Sequence, residues 1–150
     1  MTRRLHILNG PNLDMLGRRE AAVYGSVTLA EIEKRCRALA AELDFDLFFG
    51  QSNAEGQIID WLHQAYDEDA SVIINPAGLS TRSVAVHDAL RMLARPVIEV
   101  HLTNVFSRES TYHDGLLTAR AAGAFLAGSG ADVYELAMRG VQGQLGGEPP

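Results

Sequence analysis

Short apolar runs at 4–9, 46–50, 71–75, 96–101 and, less sharply, 121–127 alternate with longer segments whose apolar residues recur every three or four positions. Strand and helix in regular alternation call for parallel βαβ units, since a parallel neighbour is reached only by crossing a sheet face, and that crossover is right-handed. The expected architecture is α/β: a flavodoxin-like, doubly wound sheet of five parallel strands in three layers. Thr28 can cap a helix beginning at Leu29, with Glu31 completing a capping box and Ala30, Ile32, Cys36, Leu39, Ala40 and Leu43 marking its apolar face. Further helical patterns run over about 55–66, 81–93 and 131–139, and Trp61 with Ile58, Ile59 and Leu62 reads as a core face. A chain of 150 residues is long enough for one well-buried core. Residues 1–142 read as a single domain and the Gly- and Pro-rich 143–150 as a disordered tail.

Ligands of such sheets bind beyond the carboxyl ends of the strands. Here those ends are unusually polar: Asn9-Gly10-Pro11-Asn12, Gln51-Ser52-Asn53, Asn75-Pro76-Ala77-Gly78 and His101-Leu102-Thr103-Asn104. Any one of them is ordinary turn chemistry, but four on one sheet edge point to a pocket. Gly17-Arg18-Arg19-Glu20 and Val23-Tyr24-Gly25 then place an arginine and a tyrosine on a glycine-bounded loop able to cover a ligand.

Composition narrows the ligand. A net charge of −6 without a basic stripe argues against nucleic acid and leaves a small molecule. The first apolar run is too short for a signal-peptide core or a membrane span. The single cysteine, Cys36, lies in a helical stretch, which fits a reducing, cytoplasmic setting. The five histidines show no metal-ligand spacing with one another or with Cys36, so no metal is expected. Gly128-Ser129-Gly130 lacks the third glycine of a dinucleotide fingerprint and reads as a tight turn.

Ile7-Leu8-Asn9-Gly10-Pro11-Asn12-Leu13, Gly17-Arg18-Arg19-Glu20, Val23-Tyr24-Gly25, Gln51-Ser52-Asn53, Ile73-Ile74-Asn75-Pro76 and Glu99-Val100-His101-Leu102-Thr103-Asn104 together resemble the type II 3-dehydroquinate dehydratase family, in its order and spacing. The resemblance covers nearly the whole chain. It implies a cofactor-free elimination of water from a cyclic β-hydroxy ketone acid through an enolate. Tyr24 takes the position of the base and would act as a tyrosinate, which needs a nearby cation because a free phenol titrates near about 10. Arg19, on the same loop, can supply that charge. His101 takes the general-acid position, with Glu99 two residues back on the same sheet face to orient it. Asn12 would hold a water against the enolate oxygen, and the backbone amides of Leu102 and Thr103, with Asn75, would bind the substrate carboxylate. The resemblance also implies a homo-oligomer, a dodecamer built from trimers, in which Asp88 reaches a neighbour's site.

Departures from the family pattern cluster around the far side of the substrate ring. Where the family reads Asn-Pro-Gly-Ala-Tyr-Thr-His-Thr-Ser, this chain reads Asn75-Pro76-Ala77-Gly78-Leu79-Ser80-Thr81-Arg82-Ser83, so Thr81 replaces a histidine. Tyr112 replaces a substrate-binding arginine, and Ala54 replaces a histidine. Three readings follow: a true 3-dehydroquinate dehydratase, a homologous lyase acting on a related hydroxy-keto acid, or a silent paralogue that only binds. Retention of Arg19, Tyr24 and His101 weighs against the last. Arg82 and His87 are nearby residues that could compensate for the lost contacts.

Overall fold

The computed structural model describes residues 3–18, 22, 26–108 and 115–146. Five parallel strands form one sheet: β1 (Arg3–Asn9), β2 (Phe45–Gln51), β3 (Ser71–Asn75), β4 (Val97–His101) and β5 (Ala124–Ala127). Their order is β2-β1-β3-β4-β5, the expected doubly wound arrangement. Among the described residues three α-helices connect successive strands, α1 (Leu29–Leu43), α2 (Glu55–Asp67) and α3 (Val84–Arg91), and α4 (Asp132–Gly146) follows β5.

Strand alternation sorts the apolar side chains to the two faces. Leu5, Ile7, Ile73, Ile98 and Val100 pack with α1 and α4, against Ile32, Leu39, Ala137 and Met138 among others. Leu8, Val72, Ile74 and Val97 pack on the opposite face with Ile58 and Leu62 of α2 and Val86 and Leu90 of α3. Because both faces are covered, the inner strands read as near-continuous apolar runs. Cys36 is fully buried in the first layer, and that burial pushes its thiol up to about 12, which keeps it protonated and inert.

The capping box of α1 forms as the sequence indicates: the Glu31 N–H donates to Thr28 Oγ1 at 3.2 Å and the Thr28 N–H to Glu31 Oε2 at 3.1 Å. Its apolar face is Ile32, Cys36, Leu39, Ala40 and Leu43, with Leu29 packed at its edge; Ala30, expected on that face, is exposed. The third helix also differs from expectation. Residues Ala77–Thr81 wind as a 3-10 turn, and α3 starts only at Val84, where Ser83 Oγ accepts the Val86 N–H at 3.0 Å. A hydroxyl that satisfies an otherwise orphaned N–H fixes the start of a helix more firmly than apolar spacing does. The fifth strand is shorter than its apolar run, because Thr118–Ala121 forms another 3-10 turn. At the carboxyl end α4 continues past Arg139 to Gly146, so residues 143–146 of the expected tail are helical, and 147–150 lie outside the described residues. Among the described residues no helix is long and apolar enough to cross a membrane.

The strand order reverses direction between β1 and β3, where Asn9 and Asn75 stand side by side in register. A doubly wound sheet opens its ligand crevice at that switch point.

Candidate active site

A cavity of about 160 Å³ opens above the carboxyl ends of β1, β3 and β4. It is smaller than the roughly 300–1,000 Å³ of sites for drug-sized ligands, and suits a small organic acid. Pro11, Asn12, Leu13 and Leu16 form one wall, Asn75, Ala77 and Gly78 a second, and His101, Leu102, Thr103, Val105 and Arg108 a third.

The first two walls are held together by main chain at close quarters. The Gly10 N–H donates to Asn75 O at 2.8 Å, and a Cβ on Gly10 would lie 2.5 Å from the Pro76 carbonyl oxygen. Only glycine fits there. Asn12 adopts a left-handed conformation with φ 70°, and its N–H donates to Asn53 Oδ1 at 2.9 Å. Gln51 Nε2 donates to that same Oδ1 at 3.1 Å and to Gly10 O at 3.2 Å. The end of β2, expected to line the pocket with the other three, thus braces the β1 loop from behind. The Asn12 side-chain amide has no partner among the described residues and faces the cavity as an available donor and acceptor.

Beneath the floor a buried phenol joins the two strand-end asparagines. Tyr134 OH, on α4, donates to Asn9 Oδ1 at 2.6 Å and accepts from Asn75 Nδ2 at 3.1 Å. Asn9 Nδ2 continues to Gly50 O at 3.0 Å, and Asn75 Oδ1 accepts the Ala77 N–H at 3.2 Å. Burial pushes the Tyr134 phenol well above its ordinary value, so it stays neutral and serves as a fixed donor. Tyr134→Phe is expected to leave both amides short of a partner and to destabilise the fold by about 2 kcal/mol. Thermal unfolding checks this, with a drop of roughly 4–8 °C expected.

On the third wall His101 is 5% exposed and Glu99 is fully buried. His101 Nε2 lies 2.8 Å from Glu99 Oε2, and Thr118 Oγ1 donates to Glu99 Oε1 at 2.5 Å. A carboxylate only accepts, so Nε2 carries a proton, and the ring turns Nδ1 away from the carboxylate. Among the described residues Nδ1 has no partner. Asn104, at the same strand end, is committed to its turn, accepting the Phe106 N–H at 3.1 Å.

Of the residues named from the sequence, Asn12, Asn75, His101, Leu102 and Thr103 meet at one cavity. Thr81 is not brought to the cavity wall, and its hydroxyl lies 3.5 Å from Gly78 O. Asp88 sits on α3 with its side chain 70% exposed, 2.9 Å from His87 Nδ1, and is not part of this chain's cavity. Arg19, Tyr24 and Tyr112 lie outside the described residues. Sequence reasoning missed Arg108, which lines the cavity and whose signal is its place just after the fourth strand end. Arg108 and His101 are among the described lining residues, which include no Asp or Glu. Among the described residues no three of His, Cys, Asp or Glu are placed to hold a metal ion.

The family model described as Dehydroquinase class II matches residues 3–142. A 3-dehydroquinate dehydratase of Rhodopseudomonas palustris (strain HaA2) is 46% identical over 147 residues, covering 97% of each chain. Another of that name, from Cereibacter sphaeroides (strain KD131 / KCTC 12085), is 48% identical over 139 residues, 93% of this chain and 94% of the relative. Among solved structures, a type II dehydroquinase from Propionibacterium acnes superposes with a TM-score of 0.90 at 37% identity, over 95% of this chain and 97% of that one.

Proposed function

Because this chain belongs to the class II dehydroquinase family, we propose that it dehydrates 3-dehydroquinate with the residues gathered at the β1–β3–β4 edge. It is a hydro-lyase, converting 3-dehydroquinate to 3-dehydroshikimate. The observation that carries the assignment of roles is the buried Glu99–His101 pair, whose histidine lines a cavity together with Asn12, Asn75 and Arg108. The reaction is redox-neutral: one proton leaves the carbon beside the carbonyl, one carbon–oxygen bond breaks and one proton goes to the departing hydroxyl, steps that acidic and basic side chains can serve.

In the proposed mechanism Tyr24, ionised beside Arg19, removes a proton from the carbon next to the ketone. Electrons flow to the carbonyl oxygen, and a water held by the Asn12 amide stabilises the enolate. When the enolate collapses, the carbon–oxygen bond of the β-hydroxyl breaks and the His101 imidazolium supplies the proton that makes water the leaving group. One proton is taken and one given, so a return transfer from the Tyr24 phenol to His101 through solvent resets the site. The peptide groups of Leu102 and Thr103 hold the substrate carboxylate, with Asn75 fixing the facing wall, and Arg108 adds a permanent positive charge.

Asp88, exposed on α3, is proposed to complete the site of a neighbouring copy, which requires at least a trimer and fits a dodecamer of trimers. A cytoplasmic enzyme of aromatic biosynthesis, or of quinate breakdown, accommodates these features. Thr81, turned toward Gly78 rather than the cavity, favours as second reading a homologous lyase on a related hydroxy-keto acid. Genetic complementation separates the two. Expressed in a bacterium lacking its own 3-dehydroquinate dehydratase, the protein is expected to restore growth without aromatic supplements. Soluble expression without growth would contradict the primary reading.

A further inference from the structure

The geometry points to Thr118 as a positioning residue for the general acid, holding the Glu99 carboxylate so that His101 presents Nδ1 to the substrate. This rests on the reading of His101 as the acid. Thr118 and Glu99 are both fully buried, and Thr118 opens the 3-10 turn Thr118–Ala121 that precedes β5. Its hydroxyl donates to Glu99 Oε1 at 2.5 Å, while Oε2 faces His101 Nε2 at 2.8 Å. These two are the only side-chain hydrogen-bond partners of Glu99 among the described residues.

A carboxylate torsion is broad and two-fold, so a glutamate anchored at one oxygen alone can swing. With one donor on each oxygen the carboxylate plane is fixed, and with it the ring that bonds the second oxygen. Strand geometry sets only part of this, since Glu99 and His101 share a sheet face whatever Thr118 does. Thr118 is not among the residues that line the cavity, so it acts through Glu99 and His101.

The test compares Thr118→Val, which keeps shape and removes the donor, with Thr118→Ser, which keeps the donor. Turnover of 3-dehydroquinate by Thr118→Val is expected to fall roughly tenfold or more in kcat, a fraction of what general-acid catalysis provides, with KM within about twofold. Thr118→Ser is expected to stay within about threefold of the parent. An unchanged kcat in folded Thr118→Val, or an equal loss in Thr118→Ser, would overturn the proposal. His101→Gln run in parallel tells the two claims apart: full activity there would overturn the reading of His101 itself. If Thr118→Val does not fold, proton NMR of the parent protein decides. A slowly exchanging, strongly downfield Thr118 hydroxyl proton supports the anchoring bond, and a rapidly exchanging, ordinary one overturns it.

Discussion

His101→Gln is expected to lower kcat for 3-dehydroquinate by roughly 10²–10⁴-fold, the usual contribution of a positioned proton donor. Glutamine is the informative replacement because its amide nitrogen can still donate toward Glu99 Oε2, which His101 Nε2 meets at 2.8 Å. Alanine would strip a buried carboxylate of one partner and confound lost chemistry with lost stability, a penalty of about 3–5 kcal/mol. With glutamine the fold is retained, KM changes little, and the deficit falls on the step in which the hydroxyl departs. Steady-state kinetics together with a thermal melt of the variant check this. A variant that folds normally and turns over like its parent would remove His101 from the mechanism.

Tyr24→Phe is expected to be at least as damaging, in the same range of roughly 10²–10⁴-fold or beyond, because it removes the base that begins the reaction. The change deletes one oxygen and keeps the ring. Binding should survive it: the proposed carboxylate contacts belong to the peptide groups of Leu102 and Thr103. Equilibrium binding of a product-like cyclic carboxylate is therefore expected to change by less than about threefold while kcat collapses. Equal losses in both would instead make Tyr24 a binding residue.

The sheet and its ligand edge were legible because they rest on local signals. Period-two alternation marks Leu5 and Ile7 for one layer and Leu8 for the other, and the residues that end β1, β3 and β4 are amides and an imidazole rather than the apolar residues of the strands. Thr28 and Glu31 announce the start of α1 within four residues of sequence. What escaped depends on partners distant along the chain. Ser83 fixes α3 through a cap, and its hydroxyl also donates to Glu55 Oε2 at 2.6 Å, so apolar spacing from 81 onward was no guide to the boundary. Tyr134 sits in an ordinary helical pattern, and only the tertiary fold brings its hydroxyl to Asn9 and Asn75. Thr118 likewise belongs to the acid pair only once β4 and the turn before β5 lie together. Gln51 and Asn53 carried the right chemistry for a ligand and use it on the β1 loop instead. Among the described residues the Asn12 side chain has no hydrogen-bond partner, its main-chain N–H being taken by Asn53.

The most direct test mixes the purified protein with 3-dehydroquinate and follows the ultraviolet absorbance of a conjugated enone carboxylate, with Tyr24→Phe alongside. The account predicts a steady rise for the parent protein and almost none for the variant. A folded parent protein that leaves 3-dehydroquinate unchanged would contradict it.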